Sequence, residues 1–163
     1  MKKVAVLLGF TLAILGMQHN TQAEGLDAER IYVGAGLNFN NLAGVGSSRG
    51  FQFFGGYDLN FKLNQDISSA LEIGYMDSGK FDRISTTNRT NAAKGIWISM
   101  LESVPLSSKT DMLARLGYDF GDDDGLLLGT GMQYKFDTKV AMRMEYVARE
   151  HVHGLQVNVL VKF

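Results

Sequence analysis

The chain has 163 residues, a formal net charge of −1, no cysteine, one proline and 19 glycines. Without cysteine, a disulfide framework and thiolate metal sites are excluded. The near-neutral balance also lacks the basic footprint of a nucleic-acid partner.

The first element is a targeting segment. Lys2 and Lys3 precede an uncharged apolar run over residues 4–17, and Thr21-Gln22-Ala23 supplies small residues where a cleavage site needs them. This is the layout of a secretory signal peptide over residues 1–23, and it is too short to read first as a membrane span. Cleavage after Ala23 leaves one domain, 24–163. The cut removes two lysines and no acid, so the charge moves from −1 to −3. An exported chain without cysteine reads as a bacterial envelope protein with no lipoprotein anchor.

The remainder reads as strands. Alternation of apolar and polar residues marks eight segments: 30–39, 50–61, 67–77, 95–104, 112–120, 126–136, 139–149 and 154–163. Each is close to the ~9–11 residues that a tilted strand needs to cross a bilayer. Short turns fall at 62–66, 105–111 and 137–138. Longer links fall at 40–49 and, longest, 78–94, while those at 121–125 and 150–153 are short again. Short turns at one end and longer loops at the other fit an up-and-down barrel.

The two phases of the strands differ in kind. One carries Ile31, Val33, Leu37, Phe51, Leu71, Ile73, Leu116, Leu128, Met142 and Met144; the other carries glycines together with Glu72, Arg115, Arg143 and Glu145. A soluble barrel would turn its apolar phase inward and would have little use for glycines on its charged face. Glycines beside long charged side chains suit a crowded interior, and eight strands enclose a space that side chains fill. Aromatics also sort by height. Phe39, Phe51, Phe53, Tyr75, Tyr118, Phe120 and Tyr146 fall toward the loop end, and Phe61, Tyr134, Phe136 and Phe163 toward the turn end. Paired aromatic belts are the mark of a membrane barrel. The expected fold is therefore all-β: an eight-stranded antiparallel transmembrane β-barrel. The fourth strand fits least well, because Glu102 shares the apolar phase of Ile96, Ile98, Met100 and Val104; it lies near the short-turn end, where a lipid-face charge costs little.

The stretches IYVGAGLNF (31–39), GGYDLNFKLNQDISSALEIGYMD (55–77), VPLSSKTDMLARLGYDF (104–120), GTGMQYKFDTKVAMRMEYVARE (129–150) and the ending LQVNVLVKF resemble the small OmpA-like and OmpX-like outer-membrane β-barrel family. The resemblance implies residence in the outer membrane, with lipids and lipopolysaccharide as surroundings. It also implies periplasmic chaperones and the assembly machinery as partners in biogenesis. The closing strand, with Leu155, Val157, Val159, Val161 and Phe163, would be the assembly signal. No periplasmic peptidoglycan-binding domain is read after it. The family shares no single activity.

Glu72, Arg115, Arg143 and Glu145 are expected to form a lumen charge network, because isolated buried charges are costly and paired ones can be held. Lys80, Arg83, Arg89 and Lys94, around the longest loop, are candidates for contact with lipopolysaccharide phosphates. Asp122-Asp123-Asp124 could in principle hold a cation, but a solvated turn is the simpler reading. His151 and His153 read as surface histidines rather than metal ligands. No cofactor, metal or catalytic residue is expected. The function expected is structural, in envelope integrity and surface interaction including adhesion or host contact. The alternatives are a lipid-A-modifying enzyme, which would need a nucleophile–base pair at the outer rim, and a narrow solute or ion channel.

Overall fold

The computed structural model describes residues 27–42, 46–59, 67–81 and 92–163. The proposed signal segment, Phe61, Arg83 and Arg89 lie outside the described residues. A single 3-10 turn, Ala28–Arg30, leads into eight strands: β1 Ile31–Leu42, β2 Gly46–Asp58, β3 Ser68–Asp77, β4 Lys94–Pro105, β5 Thr110–Asp119, β6 Gly125–Lys135, β7 Val140–Ala148 and β8 Val152–Lys162. Each strand pairs antiparallel with its neighbours, and β8 returns to β1, so the sheet closes into a barrel. Closure removes the exposed edges that an open sheet would carry. The last backbone bond of the seam runs from the Phe163 N–H to the Ile31 carbonyl, 3.2 Å.

The two phases separate as their chemistry requires. Leu37, Leu116, Ile96 and Val159 are each more than half exposed on the outer wall, whereas Asn38, Glu72, Glu145 and Asn158 are fully buried inside. In water such a molecule would be inside out; in lipid the apolar wall is solvated and the strand backbones pair with one another around the closed ring. Phe39, Phe51, Tyr118, Phe120 and Tyr146 are exposed toward the loop end, and Tyr134, Phe136 and Phe163 toward the turn end. Glu102 is on the outer face near the turn end, where its carboxylate accepts a hydrogen bond from the Ser69 hydroxyl at 2.8 Å.

Two connections have clear local causes. At the β6–β7 turn, Asp137 Oδ1 accepts the backbone N–H groups of Lys139 and Val140, each at 2.7 Å. Those donors stabilise the charged carboxylate and hold its pKa below the usual carboxylate range. At the β1–β2 link the structure departs from the expected loop at 40–49. Pairing continues through Asn40↔Ser48 and Asn41↔Ser47 to Leu42↔Gly46. The Asn and Ser residues look like a turn in isolation. Inside the barrel, the Ser78 carbonyl accepts from both Asn40 Nδ2 (3.0 Å) and Ser48 Oγ (2.7 Å), and so keeps the strands paired.

Candidate functional site in the barrel lumen

The site begins with glycine. Around one row of the lumen the cross-strand partners are Gly34, Phe54, Gly74 and Trp97, on β1 to β4 in order. A Cβ on Gly34 would meet the Phe54 ring, and one on Gly74 would lie 2.7 Å from Phe54 Cβ and against the Trp97 indole. The neighbouring row pairs Tyr32 with Gly56 and Gly56 with Glu72. Farther round, Arg115 faces Gly129, and Glu145 faces Gly131. Small residues next to large ones let each long side chain lie across its neighbour strand and reach the middle of a narrow bore.

There the four charged residues from β3, β5 and β7 meet. Arg115 binds Glu145 with two parallel bonds, Nε to Oε1 at 2.9 Å and Nη2 to Oε2 at 3.0 Å. Its Nη1 donates to Ser99 Oγ at 2.7 Å and lies 2.6 Å from Glu72 Oε2. Arg143 Nη1 donates to Glu72 Oε1 at 2.6 Å, and the Tyr32 hydroxyl donates to the same oxygen at 2.6 Å. Arg143 also donates from Nε and Nη2 to Gln133 Oε1, at 3.2 and 3.0 Å. The layer holds two cations and two anions and is formally neutral. Aromatic faces complete it. The Arg115 guanidinium lies 5.1 Å from the Trp97 ring centre, and that of Arg143 lies 5.5 Å from Phe54 and 5.8 Å from Tyr32. Each cation thus has carboxylates at its edge and a ring on its face, which is how a charge is held out of water.

Other pairs stack above and below. Toward the loop end, Arg149 Nε donates to Asp119 Oδ2 at 2.9 Å. Toward the turn end, Lys135–Asp111 (2.8 Å) and Lys162–Asp58 (2.6 Å) ring a cavity of about 370 Å³ that has Tyr32 and Arg143 among its lining. Sequence reasoning did not single out these pairs, nor the packing role of Tyr32, Phe54 and Trp97. A signal existed for Trp97 and Ser99: outward Ile96 and Ile98 force their neighbours inward.

The loop-end residues take different roles. Lys80 is exposed, and Lys94 is held by Asp77 at 2.7 Å. Asp122 Oδ2 accepts the Lys94 N–H at 3.1 Å. Asp123 Oδ1 accepts the His151 N–H at 2.9 Å and its Oδ2 accepts the Val152 N–H at 2.9 Å. These carboxylates therefore tie the β5–β6 link to its neighbours. His151 Nδ1 is 2.9 Å from Asp123 Oδ1. Among the described residues no group of three or more acidic or histidine side chains could hold a metal.

A closed eight-stranded barrel with an apolar outer wall, aromatic belts and a charged, filled interior is a transmembrane barrel of the bacterial outer membrane. The OmpA-like transmembrane domain family matches residues 18–158, and the chain belongs to that family. No curated protein matches the chain by sequence. Among solved structures, the chain is similar to a de novo designed transmembrane β-barrel, with 12% identity over 84% of this chain and 98% of that one and a TM-score of 0.54. It is also similar to Ail of Yersinia pestis in a phospholipid nanodisc, with 11% identity over 82% and 98% and a TM-score of 0.54. Neisserial surface protein A gives 18% identity over 82% and 97%, with a TM-score of 0.51. At these identities the likeness is one of fold alone.

Proposed function

We propose that the protein is a non-catalytic, non-conducting element of the outer-membrane wall that supports envelope integrity and offers its loop end for surface contact. The observation that carries this reading is the Glu72–Arg115–Arg143–Glu145 layer, whose side chains are buried and mutually paired across the bore. An ion would have to break several charge-assisted bonds to pass. Reconstituted into planar bilayers, the barrel is expected to show no steady single-channel conductance; large, stable openings would overturn the proposal.

The enzymatic alternative finds little support in the His151–Asp123 pair. Both Asp123 oxygens also accept backbone N–H groups, so the carboxylate already serves to cap the β7–β8 turn. Lipid A from overexpressing cells is expected to keep its acyl pattern by mass spectrometry.

For surface contact, the cations best placed are Lys80 and Arg49. Both are exposed and line a groove beside Phe39, and among the described residues no acidic side chain pairs with either. Arg49 is the cross-strand partner of Phe39, so it stands on the outer wall next to the aromatic belt. Lys94, engaged by Asp77, is a poorer candidate than its sequence position suggested. Replacing Arg49 and Lys80 with alanine is expected to weaken co-purification with lipopolysaccharide, and dephosphorylated lipopolysaccharide is expected to show no such difference.

For assembly, Phe163 contributes one backbone bond and an exposed aromatic residue at the turn end. Deleting it is expected to reduce outer-membrane insertion in cells far more than it lowers the urea midpoint of the refolded barrel. Equal insertion of the truncated chain would count against the closing strand as an assembly signal.

A further inference from the structure

The lipid-facing wall carries a charge that the barrel does not neutralise. Between the two aromatic belts, Glu102 is the only acidic or basic residue on the outward phase of the described strands. Its Oε2 accepts the hydroxyl of Ser69, its buried cross-strand neighbour on β3, at 2.8 Å. A neutral donor thus fixes the carboxylate in place without balancing its charge. In the lumen, Glu72, Glu145, Asp111 and Asp119 each meet a lysine or an arginine. Among the described residues no cation pairs with Glu102. An unbalanced charge on a membrane-facing surface is rare and marks a site with a partner to be named.

The strand register shapes the surface beside it. The cross-strand row through Glu102 continues to Ala114 on β5, Thr130 on β6 and Tyr146 on β7. Ala114 offers only a methyl group, and Thr130 turns its hydroxyl back to the Leu113 carbonyl at 3.1 Å. The rows on either side carry longer chains: Met100, Leu116 and Leu128 toward the loop end, and Val104, Met112 and Met132 toward the turn end. A shallow trough therefore leads away from the carboxylate. Because the strands tilt, the row climbs the wall, from Glu102 near the turn-end limit of β4 to Tyr146 in the loop-end belt. This is the course of an acyl chain below its headgroup.

We propose that this face binds a phospholipid of the turn-end leaflet, its primary ammonium headgroup paired with Glu102 and one acyl chain lying over Ala114 and Thr130. Short turns mark the periplasmic side of such barrels, so the leaflet is the inner one. The choice of headgroup follows from the carboxylate. Ser69 occupies one lone pair of Oε2, which leaves Oε1 free to accept an N–H from a cation. A primary ammonium supplies both the charge and the N–H. A quaternary ammonium supplies the charge alone, and an anionic headgroup is repelled. A second copy of the chain is the poorer occupant, because a two-fold interface centred on this row would bring two unbalanced carboxylates together.

Native mass spectrometry tests the assignment. The folded barrel is released from nanodiscs that hold equal amounts of phosphatidylethanolamine, phosphatidylcholine and phosphatidylglycerol with identical acyl chains. Retained phosphatidylethanolamine is expected to exceed phosphatidylcholine by about two- to fivefold, the range of a partly exposed ion pair. Glu102→Gln is expected to abolish that preference. Ala114→Leu, which fills the trough, is expected to lower retention of all three lipids and keep their order. Equal retention of the three by the wild-type barrel, or an undiminished preference in Glu102→Gln, would overturn the headgroup assignment. Unchanged retention in Ala114→Leu would remove the trough. Wild-type dimers that Glu102→Gln dissociates would give the face to a second copy. The outcome is independent of conductance: a conducting barrel would sink the proposed function and leave the lipid preference in place.

Discussion

Replacing Glu72 with glutamine is expected to destabilise the folded barrel by about 3–5 kcal/mol, the usual consequence of removing one partner from a buried ion pair. Glu72 receives Arg143 and Tyr32 on Oε1 and faces Arg115 on Oε2. Glutamine keeps the shape and loses the charge, leaving two buried guanidinium groups with Glu145 as their one remaining carboxylate in the layer. Adding Arg143→Met to Glu72→Gln restores formal neutrality and is expected to recover more than half of the loss. Urea unfolding of the refolded proteins in lipid vesicles measures both. Two midpoints indistinguishable from wild type would show that the layer fills the bore without holding it together.

The second large effect separates adjacent glycines on β2. A Cβ on Gly56 would fall within the Tyr32 ring, whereas one on Gly55 would meet only the Tyr32 carbonyl oxygen, at 4.0 Å. Gly56→Val is therefore expected to cost about 1–3 kcal/mol through overpacking, or to block refolding altogether. Gly55→Val is expected to be neutral or stabilising by up to about 1 kcal/mol, because a β-branched residue favours a strand and its methyls project toward lipid. Combining Gly56→Val with Tyr32→Leu should relieve much of the clash, and that double variant keeps the test readable if the single one fails to fold. Equal behaviour of the two single variants would refute the assignment of faces. Strand propensity alone would rank both substitutions as favourable, so the contrast isolates the lumen.

Much of this architecture is legible in the chain because alternation is a local property. Ile31, Val33 and Leu37 on one phase and Asn38 on the other require no knowledge of neighbours, and eight such segments with short turns define the barrel. The four central charges stand out for a related reason: full charges on a phase rich in glycine need partners. Local reading failed at 40–49, where Asn40 and Ser48 resemble a turn until the Ser78 carbonyl, just beyond the end of β3, accepts their bonds. It also passed over Asp119–Arg149 and Asp58–Lys162, whose members lie 30 and 104 positions apart.

The sequence by itself determined that the chain crosses a membrane as strands, which face of each strand meets lipid, and which residue types crowd the interior. Only the tertiary structure decided who meets whom. Arg143 reaches Glu72 across 71 positions because the register of every intervening strand sets the height at which each side chain enters the bore. A shift of two residues in any one pairing would preserve every inward and outward face and yet separate those charges. Alternation fixes the parity of a position but not its height, and a sealed bore depends on height.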